Sequence, residues 1–154
     1  MRVLFLDIDG VLNCKTTRTR HRGLLGIDPR LAGIVRSIAQ AVPDLKLVLS
    51  SSWREMEGGR TEVERMVGPC FDVTPIFEAE DDVRGYEIQA WLELHPRVER
   101  YAILDDDCDM LEHQMANFFR TSFETGITRE LADRVVAHFL VSEIKRAAAQ
   151  TSQR

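Results

Sequence analysis

Short apolar runs alternate with helical patterns along almost the whole chain, and this alternation limits the possible folds more than any other feature. The run from Val3 to Leu6 ends at a carboxylate, the run from Leu45 to Leu49 ends in serines, and the run from Tyr101 to Leu104 ends in aspartates. A continuous apolar run of this length is typical of a strand that is buried on both faces of a parallel sheet. The pattern predicts an α/β fold in which helices cover both faces of a parallel sheet.

Helix signals occupy the intervals between these runs. The pair 28–29 (Asp-Pro) predicts a helix N-cap followed by a first-turn proline, and 61–64 (TEVE) resembles a capping box. Thr128 is predicted to cap a C-terminal helix. Residues 73–77 are a weaker strand candidate, because Pro75 interrupts them.

The length and charge of the chain limit its organisation and its partners. A chain of 154 residues is close to the ~150 expected of one domain. We predict one domain over 1–148, with a basic flap loop at 13–26, an acidic turn at 78–82 and a frayed tail at 149–154. The 20 basic and 25 acidic residues give a formal charge of −5, which offers no general attraction to nucleic acid or to an anionic membrane.

The sequence favours a cytoplasmic protein that does not bind membranes. No stretch has the ~18 apolar residues that a membrane span requires, and the N-terminus reaches its first carboxylate too early for a signal peptide. Cys14, Cys70 and Cys108 form an odd set without CxxC spacing, which fits reduced thiols. The sequence leaves the oligomeric state open.

Acidic residues follow two of the predicted strands at the point where each strand ends. Asp7 and Asp9 follow the first strand, and the run 105–109 contains four more aspartates. The carboxyl ends of parallel strands meet at one edge of a sheet, so the two groups should lie close together. Like charges about 4 Å apart repel by about 4 kcal/mol at an effective dielectric constant of about 20, so a cation or a shared proton must relieve them. Oxygen ligands without histidine or cysteine favour Mg²⁺ over zinc.

Four motifs, in this order, resemble those of the haloacid dehalogenase (HAD) superfamily of phosphohydrolases. They are FLDIDGVLN at 5–13, LVLSSSW at 47–53, VRGYEIQAWL at 83–92 and AILDDDCD at 102–109. The arginine after the serines and TGIT at 125–128 make the chain most similar to the HAD domain of Swiss Army Knife RNA repair proteins. The resemblance implies a HAD-like Rossmannoid three-layer sandwich. The intervals in which larger relatives insert a cap are filled by sheet and helix elements, so no large cap domain is expected.

The resemblance also implies a role for each acidic residue of these motifs. Asp7 would be the nucleophile that forms an aspartyl-phosphate, and Asp9 would act as general acid and then general base. Gly10 would permit the tight turn that brings backbone N–H groups near the phosphate. The metal ligands would be the carboxylates of Asp7 and Asp105, the carbonyl of Asp9 and, directly or through water, Asp106.

A serine and an arginine complete the implied site. Ser51 would hydrogen-bond a phosphoryl oxygen, and Ser50 is the alternative because three consecutive serines leave the register open by one residue. Arg84 would neutralise the transferring phosphoryl group, at a position where the superfamily more often has lysine. Asp109 is either the last acid of the fourth motif or the cap of the helix that follows it.

Basic residues are concentrated just after the first motif. Lys15, Arg18, Arg20 and Arg22 place four positive charges in eight residues, and Arg54 follows the serines. These arginines should lie near the acidic site, so we predict that they bind a phosphate-rich substrate, either an RNA or DNA end or a nucleotide.

The sequence and the resemblance together therefore predict an enzyme, namely a HAD-type phosphoric monoester hydrolase that depends on Mg²⁺. We expect its substrate to be phosphorylated and its role to be in RNA repair. One alternative is a capless phosphatase or phosphotransferase for small molecules. Another is a receiver-like domain or a catalytically silent phosphate-binding module. A receiver domain carries its paired acids first and its lone acceptor later, whereas here DxDG comes first and DDD comes last.

Overall fold

A parallel sheet organises the computed structural model, which describes residues 1–77 and 83–151, the stretch 142–151 as helix backbone. Five strands form this sheet and two form a separate hairpin. In chain order the strands are β1 (Arg2–Leu6), β2 (Arg20–His21), β3 (Leu24–Leu25), β4 (Leu45–Leu49), β5 (Cys70–Val73), β6 (Arg100–Asp105) and β7 (Phe118–Arg120). The predicted acidic turn at 78–82 lies outside the described residues.

The order of the strands across the sheet is β5-β4-β1-β6-β7. Every neighbouring pair in this sheet is parallel. Numbered by their own sequence order, the five strands run 3-2-1-4-5, which is the order of the first five strands of a Rossmann sheet. A receiver-like domain would have the flavodoxin-like order 2-1-3-4-5. The observed order therefore excludes the receiver-like alternative.

Helices cover both faces of the sheet, as predicted. The helices are α1 (Pro29–Ala41), α2 (Gly59–Val67), α3 (Arg84–Leu94) and α4 (Arg129–Thr151). On one face, Leu4 and Leu6 of β1 share a buried cluster with residues of α1, α2 and α4. On the other face, Val3 and Phe5 pack with α3, where the rings of Phe5 and Trp91 meet edge to face at 5.3 Å. The three-layer α/β architecture is confirmed.

The helix-start signals gave mixed results. Asp28 caps α1 as predicted, because its Oδ1 accepts a hydrogen bond of 2.9 Å from the N–H of Arg30. The predicted capping box at 61–64 is wrong, since α2 has already begun at Gly59. Gly58, with φ of 74°, turns the chain into the helix and leaves Thr61 inside it.

Two further segments differ from the sequence-based expectation. The strand predicted at 73–77 lies earlier, at 70–73, because Pro75 has no N–H to donate to a sheet. The basic flap, 13–26, contains the antiparallel hairpin β2–β3. Arg22 and Gly23 form its turn with φ of 50° and 83°. Of the predicted tail at 149–154, the first three residues continue α4 and the last three lie outside the described part.

Two glycines with positive φ provide a test of how the loop after β7 packs. Gly126 has φ of 66° and Gly23 has φ of 83°, and a Cβ in this region costs about 1–2 kcal/mol. At Gly126 the added Cβ would also lie 2.5 Å from Cδ1 of Leu31 and 2.9 Å from the carbonyl oxygen of Val11, whereas nothing lies within 4 Å at Gly23. We expect Gly23→Ala to lower Tm by a few degrees and Gly126→Ala to lower it clearly more, as measured by circular dichroism. Equal shifts would contradict the packing of this loop against α1.

Candidate active site

The candidate site lies where β1 and β6 end beside each other. Asp7 continues β1, and its N–H donates a 3.0 Å hydrogen bond to the carbonyl of Leu104. On the other side, the N–H of Ser50 donates to the carbonyl of Leu6, also at 3.0 Å. Asp105 is the last residue of β6. The strand order reverses between β1 and β6, and open α/β sheets bind ligands at that point.

Three carboxylates converge at this point. Asp7, Asp105 and Asp106 each place an oxygen within 4.8 Å of the others. Asp7 is 6% exposed and Asp105 is 2% exposed. Gly10 makes the approach of Asp106 possible, because a Cβ there would lie 2.2 Å from Oδ2 of Asp106. Gly10 also has φ of 75°, so the turn that was predicted at this glycine is present.

Burial changes the ionisation of the two central carboxyl groups. Burial raises the pKa of Asp7 to about 6, although the charge of Arg84 opposes this rise. Burial, followed by the charge of Asp7, raises the pKa of Asp105 to about 8. Oδ2 of Asp105 is buried and has no hydrogen-bond partner in the described structure. Even with Arg84 beside them, these groups therefore resist ionisation unless further positive charge is added.

Arg84 supplies a positive charge to this cluster from the first turn of α3. Its guanidinium lies 3.8 Å from Oδ1 of Asp7 and 3.4 Å from Oδ2 of Asp105. The backbone N–H of Arg84 donates a 2.8 Å hydrogen bond to Oδ2 of Asp109. Asp109 thus caps α3, which precedes it in the chain, and it is not one of the three clustered carboxylates.

The position of the Arg54 side chain differs from the prediction that this arginine contacts substrate. Its side chain is 3% exposed and pairs at 2.7 Å with Glu87, which is equally buried. The same guanidinium donates to the backbone carbonyls of Ser50, Thr74 and Pro75. These contacts occupy Arg54 within the fold, so it does not extend toward a substrate.

Glu87 is a site residue that the sequence analysis missed. One of its oxygens binds Arg54, and the other lies 3.6 Å from the guanidinium of Arg84. Glu87 follows Arg84 by one turn of α3, and it stands among residues that are otherwise typical of a buried helix face. An acid at such a position is the signal that could have revealed it, because buried carboxylates need a partner.

Asp9 occupies a different environment from Asp7. Its carboxylate is exposed and accepts hydrogen bonds from Nδ2 of Asn13 at 2.7 Å and from Nε1 of Trp53 at 3.2 Å. Trp53 is buried as expected of a core residue, yet its indole N–H also holds Asp9. The ring of His21, in the basic flap, stacks on Trp53 at 5.2 Å. Asn13 belongs to the first motif, but the sequence analysis assigned it no role.

The structure distinguishes the two candidate serines. A side-chain hydrogen bond with Ser51 lowers the pKa of Asp7, so Ser51 lies beside the predicted nucleophile. The Oγ of Ser51 also accepts a 3.3 Å hydrogen bond from the N–H of Trp53. The Oγ of Ser50 is buried and has no partner among the described residues. The geometry therefore favours Ser51 for contact with a phosphoryl group.

The arginines of the basic flap are only partly available. Arg22 forms a 3.0 Å ion pair with Glu57, and Lys15 pairs with Glu124. Arg20 donates to carbonyls of its own loop. Arg18 is exposed, and no hydrogen bond or ion pair joins it to the part of the chain that the structure describes.

Comparisons with known proteins agree with this fold. One solved structure, the HAD domain of effector protein Lem4 from Legionella pneumophila, matches with a TM-score of 0.57 and 13% identity, over 91% of this chain and 96% of that one. This likeness is one of fold. No curated protein matches the chain.

Residues 3–132 match the family described as the HAD domain in Swiss Army Knife RNA repair proteins. The chain belongs to this family. Its superfamily consists mainly of hydrolases, including phosphatases, and generally uses Mg²⁺. In the described part of the chain, no helix combines the length and apolar character that a membrane crossing needs.

The raised pKa values predict how stability depends on pH. In the metal-free protein, folding raises the pKa of Asp7 from 3.8 to about 6 and the pKa of Asp105 from 3.8 to about 8. The folded state therefore binds more protons than the unfolded state. Their stabilising contribution is full below pH 3.8 and is lost as pH rises through the folded-state values. In EDTA, the free energy of unfolding should therefore fall between about pH 4 and about pH 8, as measured by urea denaturation.

Two variants provide the control for this measurement. Asp105→Asn cannot ionise, so its stability should depend much less on pH. Asp107→Asn removes an exposed carboxylate next to the cluster and should keep the wild-type slope. The same slope in Asp105→Asn as in the wild type would show that Asp105 does not titrate as described.

Proposed function

We propose that this protein is a phosphatase that uses Mg²⁺ and forms an aspartyl-phosphate on Asp7. The proposal depends on one observation, which is the convergence of Asp7, Asp105 and Asp106 within 4.8 Å beside the guanidinium of Arg84. A nucleophile, a set of oxygen ligands and a fixed cation thus lie together at the carboxyl edge of the sheet. Membership of the HAD superfamily supports this chemistry.

The residues present fit a Mg²⁺ ion. All three converging groups are carboxylates, the ligand type that Mg²⁺ prefers. Oδ2 of Asp105 is buried and accepts no hydrogen bond among the described residues, and the pKa values of Asp7 and Asp105 are raised. Both features would be expected of a site that a cation completes. Asp7, Asp105 and Asp106 would hold the ion. When bound, it would neutralise the carboxylates and polarise a phosphoryl oxygen.

The side chains divide the reaction between them. A carboxylate oxygen of Asp7 attacks phosphorus, which forms an aspartyl-phosphate and breaks the bond to the ester oxygen. Asp9 donates a proton to that leaving oxygen, and it then takes a proton from the water that hydrolyses the intermediate. Asn13 and Trp53 hold the Asp9 carboxylate in place for both transfers. Arg84 and Ser51 stabilise the charge on the transferring phosphoryl group.

The proposed substrate is a phosphorylated nucleic-acid end or a nucleotide. The family description refers to RNA repair proteins, and Arg18 is an exposed cation on the segment that follows Asp9. Within residues 1–77 and 83–151, the two-stranded hairpin is the element inserted between β1 and α1, and so short an insertion would leave room for a long substrate. A small-molecule phosphate ester remains the second candidate, because the proposed hydrolysis uses none of the flap arginines.

We also propose that the protein works in a reducing compartment such as the cytoplasm. Cys14, Cys70 and Cys108 are free thiols. Burial raises the pKa of Cys70 to about 11, so its reactive thiolate form is disfavoured.

Loss of the Asp7 charge should abolish turnover. Asp7→Asn keeps the size of the side chain and removes the attacking anion, so kcat should fall by several orders of magnitude. Asp107→Asn is the matched control, because it changes an exposed aspartate of the same edge. The assay compares an aryl phosphate, mononucleotides, and 3′- and 5′-phosphorylated oligonucleotides, with Mg²⁺ and with EDTA. Residual activity above about a tenth in Asp7→Asn, or full activity in EDTA, would contradict the proposed mechanism.

Arg18 of the flap should matter for polynucleotides and not for small esters. Arg18→Gln should weaken oligonucleotide binding and flatten its salt dependence by a slope of about 0.7 per lost phosphate contact. Arg22→Gln is the control, since Glu57 already neutralises this arginine. Turnover of the aryl phosphate should stay unchanged in both variants. If Arg18→Gln reduced both activities equally, the flap would act as a lid and the polynucleotide proposal would lose its support from charge.

A further inference from the structure

A polar cavity that the proposed mechanism does not use lies at the end of β7, next to the acidic cluster. It has a volume of about 270 Å³, and we call it the β7 pocket. Its lining residues are Arg120, Thr121, Ser122, Thr125, Gly126, Thr128, Glu130, Leu131 and Arg134. Two hydrogen bonds connect the pocket to the acidic cluster. The N–H of Thr121 donates to the carbonyl of Asp105 at 2.9 Å. The Nε of Arg120 donates to the carbonyl of Asp106 at 3.0 Å. Adjacent strands are about 4.8 Å apart, so the pocket is one strand beyond Asp105.

The pocket presents positive charge and unused backbone donors. Two arginines and one acid line it, which leaves one positive charge in excess. Thr128 caps α4, because its Oγ1 and carbonyl accept from the N–H groups of Leu131 and Ala132. The N–H groups of Arg129 and Glu130, at the start of this 23-residue helix, have no hydrogen-bond partner among the described residues. A long helix that begins with free N–H groups attracts anions.

A buried hydroxyl provides an independent indication of a ligand. Thr121 lines the pocket and is 7% exposed, and its Oγ1 is buried without a hydrogen-bond partner in the described structure. The neighbouring hydroxyls of Ser122 and Thr125 are engaged by the loop itself. A buried hydroxyl without a partner is unfavourable and rare, so a ligand oxygen in the pocket would satisfy it.

The wall of the pocket is held rigidly against the site. The N–H of Ile127 donates a 2.9 Å hydrogen bond to the carbonyl of Val11, in the loop that carries Asp9. Gly126 packs so closely on Leu31 that it has no room for a side chain. The position of the pocket relative to Asp9 is therefore set by backbone contacts.

We propose that the β7 pocket binds a second phosphate group of the substrate, next to the phosphate that Asp7 attacks. This inference rests on the proposed phosphatase function, and it narrows the substrate to a molecule with at least two phosphates. Two guanidinium groups and a helix N-terminus match the charge and the several oxygens of a phosphate. A nucleoside bisphosphate and a nucleotide strand share this chemistry.

A binding experiment tests the pocket without any turnover. Inorganic phosphate is titrated into the full chain in EDTA, where the acidic cluster does not attract anions, and the amide signals of Thr121, Arg129 and Glu130 are followed by NMR. We expect saturable shifts. Arg134→Gln should weaken binding by about tenfold, because it removes a charge-assisted hydrogen bond, and Glu130→Gln should strengthen it. Arg65→Gln is the control for loss of one positive charge, since Arg65 is an exposed arginine of α2 and does not line the pocket. Absence of shifts, or unchanged binding in Arg134→Gln, would overturn the proposal.

A kinetic experiment separates this inference from the proposed function. KM is compared for an aryl phosphate, a nucleoside monophosphate, a nucleoside 3′,5′-bisphosphate and an end-phosphorylated oligonucleotide. Arg134→Gln should raise KM for one or both of the last two substrates, and the one affected identifies the natural source of the second phosphate. If no substrate is hydrolysed but phosphate still binds in EDTA, the phosphatase proposal fails and the pocket stands. If turnover depends on Asp7 but Arg134→Gln changes no KM, the second-phosphate proposal fails alone.

Discussion

Asp7 and Asp105 lie side by side at the ends of the two central strands, and both are almost excluded from water. At an effective dielectric constant of about 20, two such charges about 4 Å apart would repel by about 4 kcal/mol. The parallel pairing of β1 with β6 imposes this arrangement, because it aligns the residues at which the two strands end. Burial at this position is the main cause of the raised pKa of both groups, and for Asp105 the neighbouring charge of Asp7 adds to it. The surrounding residues either supply positive charge to this pair or hold those that do.

The position of Arg84 depends on a second, fully buried interaction. Glu87 binds both Arg84 and Arg54, and Arg54 in turn binds the carbonyls that follow β4 and β5. The guanidinium that faces Asp7 is thus connected to α3 and to two strands. Buried ion pairs add little net stability, but they define one geometry when all their hydrogen bonds are made. Here the geometry that they define is that of the acidic cluster.

The two aspartates of the first motif differ because their surroundings differ. Asp7 is buried between strands, while Asp9 is exposed and held by two neutral donors, Asn13 and Trp53. Carboxyl groups in such contrasting environments can take different parts in acid–base chemistry. The stacking of His21 on Trp53 links the hairpin to the residue that holds Asp9.

The alternation of main-sheet strands with helices along the chain, and the edge at which the site forms, follow from the sequence alone. The spacing of apolar residues and local caps such as Asp28 are encoded within a few residues, whereas the hairpin β2–β3 was not predicted. The DxDG motif and the aspartates after β6 could likewise be placed together, since parallel strands must end at a common edge. Boundaries were less predictable: α2 begins at a left-handed glycine and not at the capping box, and β5 ends before Pro75. The direction of each side chain was decided only by tertiary packing. In the sequence, Arg54 follows the polar end of a strand and Arg84 is the first residue of a helix. Glu87 is buried and distant from Arg54 in the chain, and its ion pair with Arg54 holds that side chain inside the fold. Similarly, the choice of Ser51 over Ser50 and the gathering of donors around Thr121 depend on contacts between residues far apart in sequence, which no local pattern contains.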